Sequence, residues 1–580
     1  MRQHPLPSPS SPRFLHCRGV GLIDVIVGSA LVLIVFLALM GVLRASILVS
    51  ALAKANAGAT TLAQSQMEYL RGLSYDNLGT VGGIPAGPVP QATTTVMDNT
   101  TYTIHTYIQY VDDPADGLGA NDTNGITTDY KVAKVTVSYF AGGASHSAVL
   151  ISNFAPPGIE TTNGGGTLQV NVVNAVGAPV SGATVRIVNA STTPTVDLST
   201  FSNANGTVYL PGAATSTDYQ VFVTKSGYSS AQTYARTTTN QNPNPGYLTV
   251  VKDQTTTATF AIDYLASLTL RTEAPPAQGS FADTFNDESQ LAATTSVDAV
   301  GGALELTGGA LSGSARSVAV APAYLNSWGV ASATVATSSG STAVIHVYDG
   351  SGTLLPNSVL PGNSTGFSAF PVNLSGVSTT TYPTLSLGVN LTTPATTTVP
   401  RVLNWSLTYT AGPTPLPHVP FTLTGTKTIG FTGSSTPLYK TIVSTTTDAQ
   451  GSRTLSLEWD AYTLSGVTGY DIEDACPAPP YILAPGSTNT AFLTLVPATT
   501  NRLYVLVQDA SGNPVPGATV TLSRTGYSDT QTSSACGGAY FGNLSAANDY
   551  AVTISKSGYT QTSFSSVSVS GQSFYTASFP

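Results

Sequence analysis

Oxygen-bearing side chains are concentrated in one stretch of the chain, between residues 112 and 129. Hard cations such as Ca²⁺ bind several carboxylate and amide oxygens arranged around a glycine turn. The candidate ligands are Asp112, Asp113, Asp116, Asp122, Asn124 and Asp129. The position of the bidentate glutamate of calcium loops has no ligand here, and Asp and Asn are also frequent in solvated turns. A calcium site and a plain solvated turn are both open interpretations.

Other residue types that catalyse reactions are dispersed. The six histidines are scattered, and none has a carboxylate or a second histidine at the spacing of metal ligands. They are His4, His16, His105, His146, His346 and His418. The chain also has no Gly-x-Ser-x-Gly elbow and no phosphate-binding loop. We therefore expect no enzymatic activity, and no cofactor apart from the calcium considered above.

The composition limits the class of protein. Only 9% of the 580 residues are charged, against about 25% in an average globular protein. A disordered acidic chain needs more charge and fewer than the 41% hydrophobic residues found here. The net charge of −9 gives no basic field for nucleic acid. At about 100–200 residues per domain, this length and its Thr-, Ser- and Gly-rich composition predict a mainly β, multidomain chain.

One apolar segment differs from the rest of the chain. Residues 25–43 contain no charged residue and would extend roughly 28 Å as a helix, enough to cross a bilayer core. Arg2, Arg13 and Arg18 precede it. This basic bias predicts a single-pass protein with a cytoplasmic N-terminus and an exported C-terminal part.

Three kinds of targeting segment each leave a feature of this region unexplained. A signal peptide cut after Ala51-Leu52-Ala53 would have an apolar region longer than the usual 7–15 residues. A plain signal anchor gives Asp24 no role. A lipoprotein signal would use Cys17, but no apolar stretch precedes that cysteine.

The segment at residues 18–26, RGVGLIDVI, resembles the leader junction of type IV prepilins and type II secretion pseudopilins. Gly19 matches the leader glycine, Val20 the first mature residue and Asp24 the acidic fifth residue. The family usually has Phe or Met first and Glu fifth. The resemblance implies cleavage between Gly19 and Val20 and methylation by a prepilin peptidase. It also implies that Asp24 pairs with the N-terminal amine of a neighbouring subunit.

The physics of membrane helices supports a role for Asp24. A carboxylate inside an apolar membrane helix is costly and is usually retained with a partner. The alternative is that Asp24 lies at the membrane interface and is merely solvated.

The residues after the apolar run predict a helix packed on a small sheet, as the pilin resemblance implies. Residues 45–71 have a loose 3.6-residue apolar period, and Gly72 is a plausible end. Strand patterns follow at 102–111 and 130–140, and 145–153 closes a hairpin. We therefore predict a leader at 1–19, a helix at 20–72, a β head at 73–155 and a linker at 156–166.

Two later segments repeat each other. The block Pro-Val-x-Gly-Ala-Thr-Val begins at Pro179 and Pro514, and Lys-Ser-Gly-Tyr begins at Lys225 and Lys556. Glycine and proline turns between short strands predict small β-sandwiches at 167–265 and 500–580. These repeats resemble carboxypeptidase regulatory-like domains, which share a transthyretin-like sandwich with Cna-B modules. The resemblance implies no peptidase activity.

The chain between the two repeats predicts two more β domains. Residues 415–498 contain a weaker copy of the same pattern, with a Thr-Asp-x-x-Gly turn at 447–451. Residues 276–411 lack the repeat turns and predict a jelly roll of the laminin G or carbohydrate-binding type. Trp328 and Trp405 are more plausible as core anchors than as sugar platforms.

The cysteines form one candidate pair. Cys17 would leave with the leader, so Cys476 and Cys536 remain in the exported part. An even pair in an exported protein is most simply a disulfide, which would tie the third sandwich to the last. Two free thiols are the alternative.

These observations favour a minor pilin or pseudopilin that displays β-sandwich modules on a filament at the cell surface. Its expected partners are the prepilin peptidase, other pilin subunits, the inner membrane and a surface polysaccharide or protein ligand, with no nucleic acid. The alternative is a membrane-anchored or secreted adhesin, or a carbohydrate-binding protein, outside any filament.

Overall fold

A computed structural model describes residues 22–115, 117, 128–157, 165–193, 195–338, 340–396 and 399–580. Within these residues the chain has one long helix and a series of β-sheets, which confirms the predicted fold class. It divides into two compact units. The first comprises Met1–Ser226, Ser230–Ala235 and Pro245–Ile262, and the second comprises the remainder of the chain.

The first unit begins with the predicted helix, which is followed by the predicted small sheet, here called the head. Helix α1 spans Leu22–Arg71 and a 3₁₀ turn spans Tyr75–Asn77. The four strands pair antiparallel in the order β1-β2-β3-β4. They are β1 Ala92–Met97, β2 Thr100–Val111, β3 Tyr130–Ala141 and β4 Ala144–Phe154. The C-terminal part of α1 lies against one face of this sheet.

The second part of this unit is the first sandwich. Its strands are β5 Gly166–Val173, β6 Thr184–Asn189, β7 Val196–Phe201, β8 Thr207–Ala213, β9 Ser216–Thr224, β10 Ala231–Gln232, β12 Leu248–Val250 and β13 Thr255–Ala261. The short strand β11, Asn242–Pro243, belongs to the second unit. One sheet holds β5 between antiparallel β8 and parallel β13, and the other has the order β10-β9-β6-β7.

The continuous part of the second unit, from Asp263, begins with strand β14, Ala266–Ala274, and an inserted sandwich follows it directly. The inserted strands are β15 Ala277–Asp283, β16 Leu291–Thr295, β17 Val297–Ala299, β18 Leu304–Leu306, β19 Ser312–Ser317, β20 Leu325–Ala336, β21 Thr342–Asp349, β22 Val372–Asn373, β23 Leu385–Thr392 and β24 Arg401–Ala411. One sheet has the order β17-β18-β24-β20-β22, with β15 also paired to β24, and the other has the order β16-β19-β23-β21. Trp328 and Trp405 are buried between the two sheets, as core anchors.

Strand β14 belongs to the third sandwich, whose remaining strands follow the insertion in sequence. Its later strands are β25 Thr414–Pro415, β26 Pro420–Gly425, β27 Thr428–Phe431, β28 Pro437–Tyr439, β29 Ile442–Thr446, β30 Ser452–Leu457, β31 Asp460–Ser465, β32 Tyr470–Cys476, β33 Tyr481–Leu483 and β34 Thr488–Pro497. Strand β14 pairs parallel with β34 and antiparallel with β30. The predicted range 415–498 therefore omitted the first strand, because β14 precedes the insertion in sequence.

The C-terminal sandwich has the strands β35 Arg502–Gln508, β36 Thr519–Arg524, β37 Tyr527–Thr532, β38 Gly538–Phe541, β39 Ala547–Ser555, β40 Thr562–Val569 and β41 Gln572–Ser578. Its first strand pairs antiparallel with the fourth and parallel with the last, as in the first sandwich, and its second strand lies between the third and the fifth. The third sandwich has the same pairing when its short strands β25, β27 and β28 are left out: β14 pairs with β30 and β34, and β26 lies between β29 and β31. The weak third copy detected in the sequence thus has the connectivity of the other two.

Candidate assembly helix and module joints

The N-terminal part of helix α1 has no partner in the described structure. The apolar side chains of residues 25–43 are exposed, for example Val32 at 70% and Val42 at 69%. By length and composition, Val25–Arg71 is the one described helix that is long and apolar enough to cross a membrane. The hydrophobic effect disfavours such a surface in water, and a helix of this length and composition could anchor the chain in a membrane.

The C-terminal part of the same helix is packed on the head. Apolar residues recur on one face of α1 every three or four residues and are buried against the sheet. They are Ala55, Ala59, Ala63, Met67 and Leu70. Tyr102 of β2 donates a hydrogen bond to the carbonyl of Ala55 at 3.1 Å. A Cβ at Gly58 would collide with that tyrosine, so the glycine permits the close approach of helix and strand.

Helix α1 also continues without a break through residues 51–53, where a signal peptide would be cut. Leu48 and Leu52 lie against Gly142, in the turn between β3 and β4. The head therefore contacts residues on both sides of that site.

The predicted peptidase site lies outside the described residues, because Gly19 and Val20 precede Leu22. Asp24 falls within the first turn of α1, but its side chain is not described. Cleavage and the pairing of Asp24 therefore stay predictions.

The structure describes three of the six predicted calcium ligands; Asp116, Asp122 and Asn124 lie outside the described residues. The backbone N–H of Asp113 donates to Oδ2 of Asp129 at 2.5 Å. Asp112 is buried and accepts a hydrogen bond from Tyr209. Among the described residues, no group of three or more acidic, histidine or cysteine side chains is placed to hold a metal. Calcium binding stays a prediction.

The contact of Asp112 joins the head to the first sandwich. Tyr209 of β8 donates from Oη to Oδ2 of Asp112 at 2.9 Å. Burial, together with the neighbouring carboxylate, raises the pKa of Tyr209 well above its usual range. The N–H of Ser199 donates to the carbonyl of Gly82 at 2.7 Å in the same joint.

A second joint connects the third and C-terminal sandwiches. Cys476 of β32 and Cys536 form a disulfide, with Cα atoms 5.3 Å apart. Asp474 of β32 accepts a hydrogen bond from the hydroxyl of Ser534 at 2.7 Å.

Asp471 is the centre of this joint and is fully buried. Its Oδ2 accepts from Tyr540 Oη at 2.7 Å and from the hydroxyl of Thr499 at 2.8 Å. Its Oδ1 lies 2.6 Å from Nε of Arg502, although the N–H direction does not meet hydrogen-bond geometry, so we treat this contact as an ion pair. Burial, followed by the bond to Asp471, raises the pKa of Tyr540 to about 12.

The three related sandwiches share a turn that sequence reasoning recognised only in part. The five-residue pattern Ser/Thr-x-Ala-x-Gly occurs at 202–206, 447–451 and 533–537. The first hydroxyl in each copy accepts from a backbone N–H: Ser202 from Ala183, Thr447 from Val419, and Ser533 from Ala518. Aligning the three Gly residues, rather than the longer blocks, would have revealed this pattern.

Two further contacts repeat between copies. A buried tyrosine donates to a backbone carbonyl four or five residues earlier in all three: Tyr219, Tyr462 and Tyr550. The lysines of the Lys-Ser-Gly-Tyr blocks, Lys225 and Lys556, donate to the carbonyls of Ser181 and Pro516. Each lysine therefore binds the turn of the Pro-Val-x-Gly-Ala-Thr-Val block in its own sandwich.

Comparisons with known proteins identify one module. Residues 502–580 match the carboxypeptidase regulatory-like domain. A comparison with curated protein sequences finds no match.

Solved structures show only distant likeness. The Bacillus anthracis TIE protein is 11% identical, with 85% of this chain and 74% of that chain covered, at a TM-score of 0.16. BcpA, the major pilin subunit of Bacillus cereus, is 10% identical over 72% of this chain and 99% of its own, at 0.13. The shaft pilin SpaA of Lactobacillus rhamnosus GG is 13% identical, with 29% of this chain and 90% of that chain covered, at a TM-score of 0.11. TM-scores this low do not establish a shared arrangement of the chain.

Proposed function

We propose that this protein is a minor pilin or pseudopilin that anchors in the inner membrane and then joins or caps a filament. The observation that carries the proposal is the division of helix α1 into two parts. Its C-terminal part is packed on the head through Ala55, Ala59 and Ala63, whereas residues 25–43 project with exposed apolar side chains. One continuous helix thus offers a surface first to lipid and then to the helices of neighbouring subunits.

The remaining modules then serve as displayed binding modules rather than as catalysts. Their sandwiches are joined by the Tyr209–Asp112 bond in the first unit and by the Cys476–Cys536 disulfide in the second. Such joints hold neighbouring modules together, which suits a protein that displays binding modules at the cell surface.

N-terminal sequencing of the protein from membranes tests the leader. A mature chain beginning at Val20, with a methylated amine, is the expected result. A chain that begins at Met1 or Lys54 would contradict the pilin proposal and favour an adhesin outside any filament.

Substitution of the acidic residue tests assembly. We expect Asp24→Ala to be cleaved normally but to be absent from sheared filaments, because the amine of the neighbouring subunit loses its partner. Asp24→Glu is the matched control and should assemble. If Asp24→Ala enters filaments as well as the unmodified chain does, the carboxylate has no pairing role.

A further inference from the structure

The outer face of the sheet β16-β19-β23-β21 in the inserted sandwich carries a polar cleft. Its volume is about 180 Å³. Typical ligand pockets of about 300–1,000 Å³ hold drug-sized molecules, so this cleft suits a group of about one ring. The side chains or backbone that line it include Thr295, Ser314, Arg316, Tyr348, Gly352 and Asn390.

Arg316 supplies a cation that is not neutralised within the described structure. It is half-buried, and no described carboxylate lies within ion-pair distance of it. Asp349, at the end of β21, instead accepts hydrogen bonds from Ser351 and Thr353 in its own turn. A Cβ on Gly352 would collide with the guanidinium, so the side chain lies directly against that backbone. The charge is therefore held at the cleft by packing.

Tyr348 supplies a flat surface beside this charge. Its ring lies across Gly388 of β23, where any Cβ would collide with the ring edge. The half-buried ring is therefore held against β23, and it lines the cleft beside Arg316. Burial raises the pKa of its phenol despite the opposing charge of Arg316, so the hydroxyl stays protonated at neutral pH.

Asn390 is oriented by a buried histidine. Nδ1 of His346 lies 2.7 Å from the carbonyl oxygen of Asn363, so the proton is assigned to Nδ1. Nε2 is then an acceptor, and it receives Nδ2–H of Asn390 at 3.1 Å. This arrangement leaves Oδ1 of the exposed Asn390 as an acceptor whose direction is already fixed.

We propose that this cleft binds a carboxylated saccharide, one uronic acid residue of a surface polysaccharide. The planar fork of Arg316 matches a carboxylate, with two parallel N–H donors for its two oxygens. The apolar face of the pyranose packs on the ring of Tyr348, while Asn390, Ser314 and Thr295 bond its hydroxyls. The proposal adds a ligand to the displayed modules and does not depend on filament assembly.

Calorimetry on the full-length protein in detergent tests this site, with trigalacturonate as the probe and neutral galactotriose as its matched control. We expect binding of trigalacturonate, and at least about tenfold weaker binding of the neutral sugar. Arg316→Gln should weaken trigalacturonate about tenfold or more, the usual effect of losing a charged hydrogen-bond pair. Arg453→Gln, at an exposed arginine of β30 without an ion pair in the described chain, should leave it unchanged.

A second variant guards against misfolding of the first. Thr295 is exposed on an edge strand, so Thr295→Glu should fold normally, as thermal melting would show, and repel the sugar carboxylate. Equal binding by Arg316→Gln, by Thr295→Glu or to galactotriose would overturn the proposal, as would no binding at all. Asp24→Ala should bind trigalacturonate fully, which separates this site from the assembly role.

Discussion

The phenol of Tyr209 donates a 2.9 Å hydrogen bond to the carboxylate of Asp112, which ties the first sandwich to the head. The two residues are 97 positions apart, and both are buried. One of the candidate calcium ligands therefore makes a structural contact in the first unit.

Removing this hydroxyl should destabilise the first unit. Tyr209→Phe leaves a buried carboxylate without this donor, and bonds to charged groups are worth about 1.5–3 kcal/mol. Differential scanning calorimetry should show a lower melting temperature for this unit. Tyr439→Phe, at an exposed tyrosine, is the control and should melt unchanged. Equal melting of both variants would show that the bond contributes nothing.

In the turn that the three sandwiches share, replacing the glycine should destabilise the protein. Gly206, Gly451 and Gly537 have φ of 73°, 66° and 81°, and a Cβ on each would collide with a carbonyl of the first strand or its end. Each Gly→Ala variant should therefore lose about 1–3 kcal/mol of unfolding free energy. Gly376→Ala, where the space is open, is the comparison in urea unfolding. A loss no larger than that of the comparison would show that the turns tolerate a side chain.

The buried carboxylate of the second joint should contribute more to the free energy of unfolding than an exposed carboxylate does. Asp471→Asn removes the fully buried partner of the partly buried Arg502, and breaking a buried pair costs about 3–5 kcal/mol. Asp197→Asn breaks the exposed pair with Arg186 and should cost about 0–1 kcal/mol. Equal losses in denaturant unfolding would contradict the buried role of Asp471.

The same joint should weaken in alkali. The pKa of Tyr540 is raised to about 12, against about 10 in an unfolded chain, so the folded state holds this proton more tightly. Its contribution to stability is complete below about pH 10 and is lost as the pH rises through about 12. Tyr540→Phe should be less stable at pH 8 yet lose less stability between pH 10 and 12. An unchanged alkaline slope in urea unfolding would refute this assignment.

The disulfide can be tested chemically and thermodynamically. Before reduction, Cys476 and Cys536 should resist alkylation, and after reduction both should react; labelling of both without reductant would exclude the bridge. Cys476→Ser/Cys536→Ser should lower the unfolding free energy by about 2–4 kcal/mol, because the denatured chain loses a cross-link. Reductant should destabilise the unmodified protein but leave this double variant unchanged.

Local sequence patterns predicted much of the fold. The apolar period and Gly72 predicted a helix that ends at residue 72, and α1 ends at Arg71; the hairpin turn at residues 141–144 lies where its glycines stand. Such patterns succeed because apolar period and turn chemistry act over a few residues. The same locality explains the repeated blocks, which predicted sandwiches from their turns alone.

Long-range partners were not predictable in this way. Strand β14 pairs with β34 across more than 200 residues and an inserted sandwich, and no local spacing marks that partner. The cleft beside Arg316 likewise depends on strands that are distant in sequence.

Residue types and short spacings are sufficient to identify the apolar helix, the acid at position 24, the repeated turns and the cysteine pair. They do not indicate that Asp112 contacts Tyr209, that Asp471 is buried against Arg502, or that His346 orients Asn390. Those contacts form only when strands and modules pack together, and the burial that gives them their strength exists only in the folded protein.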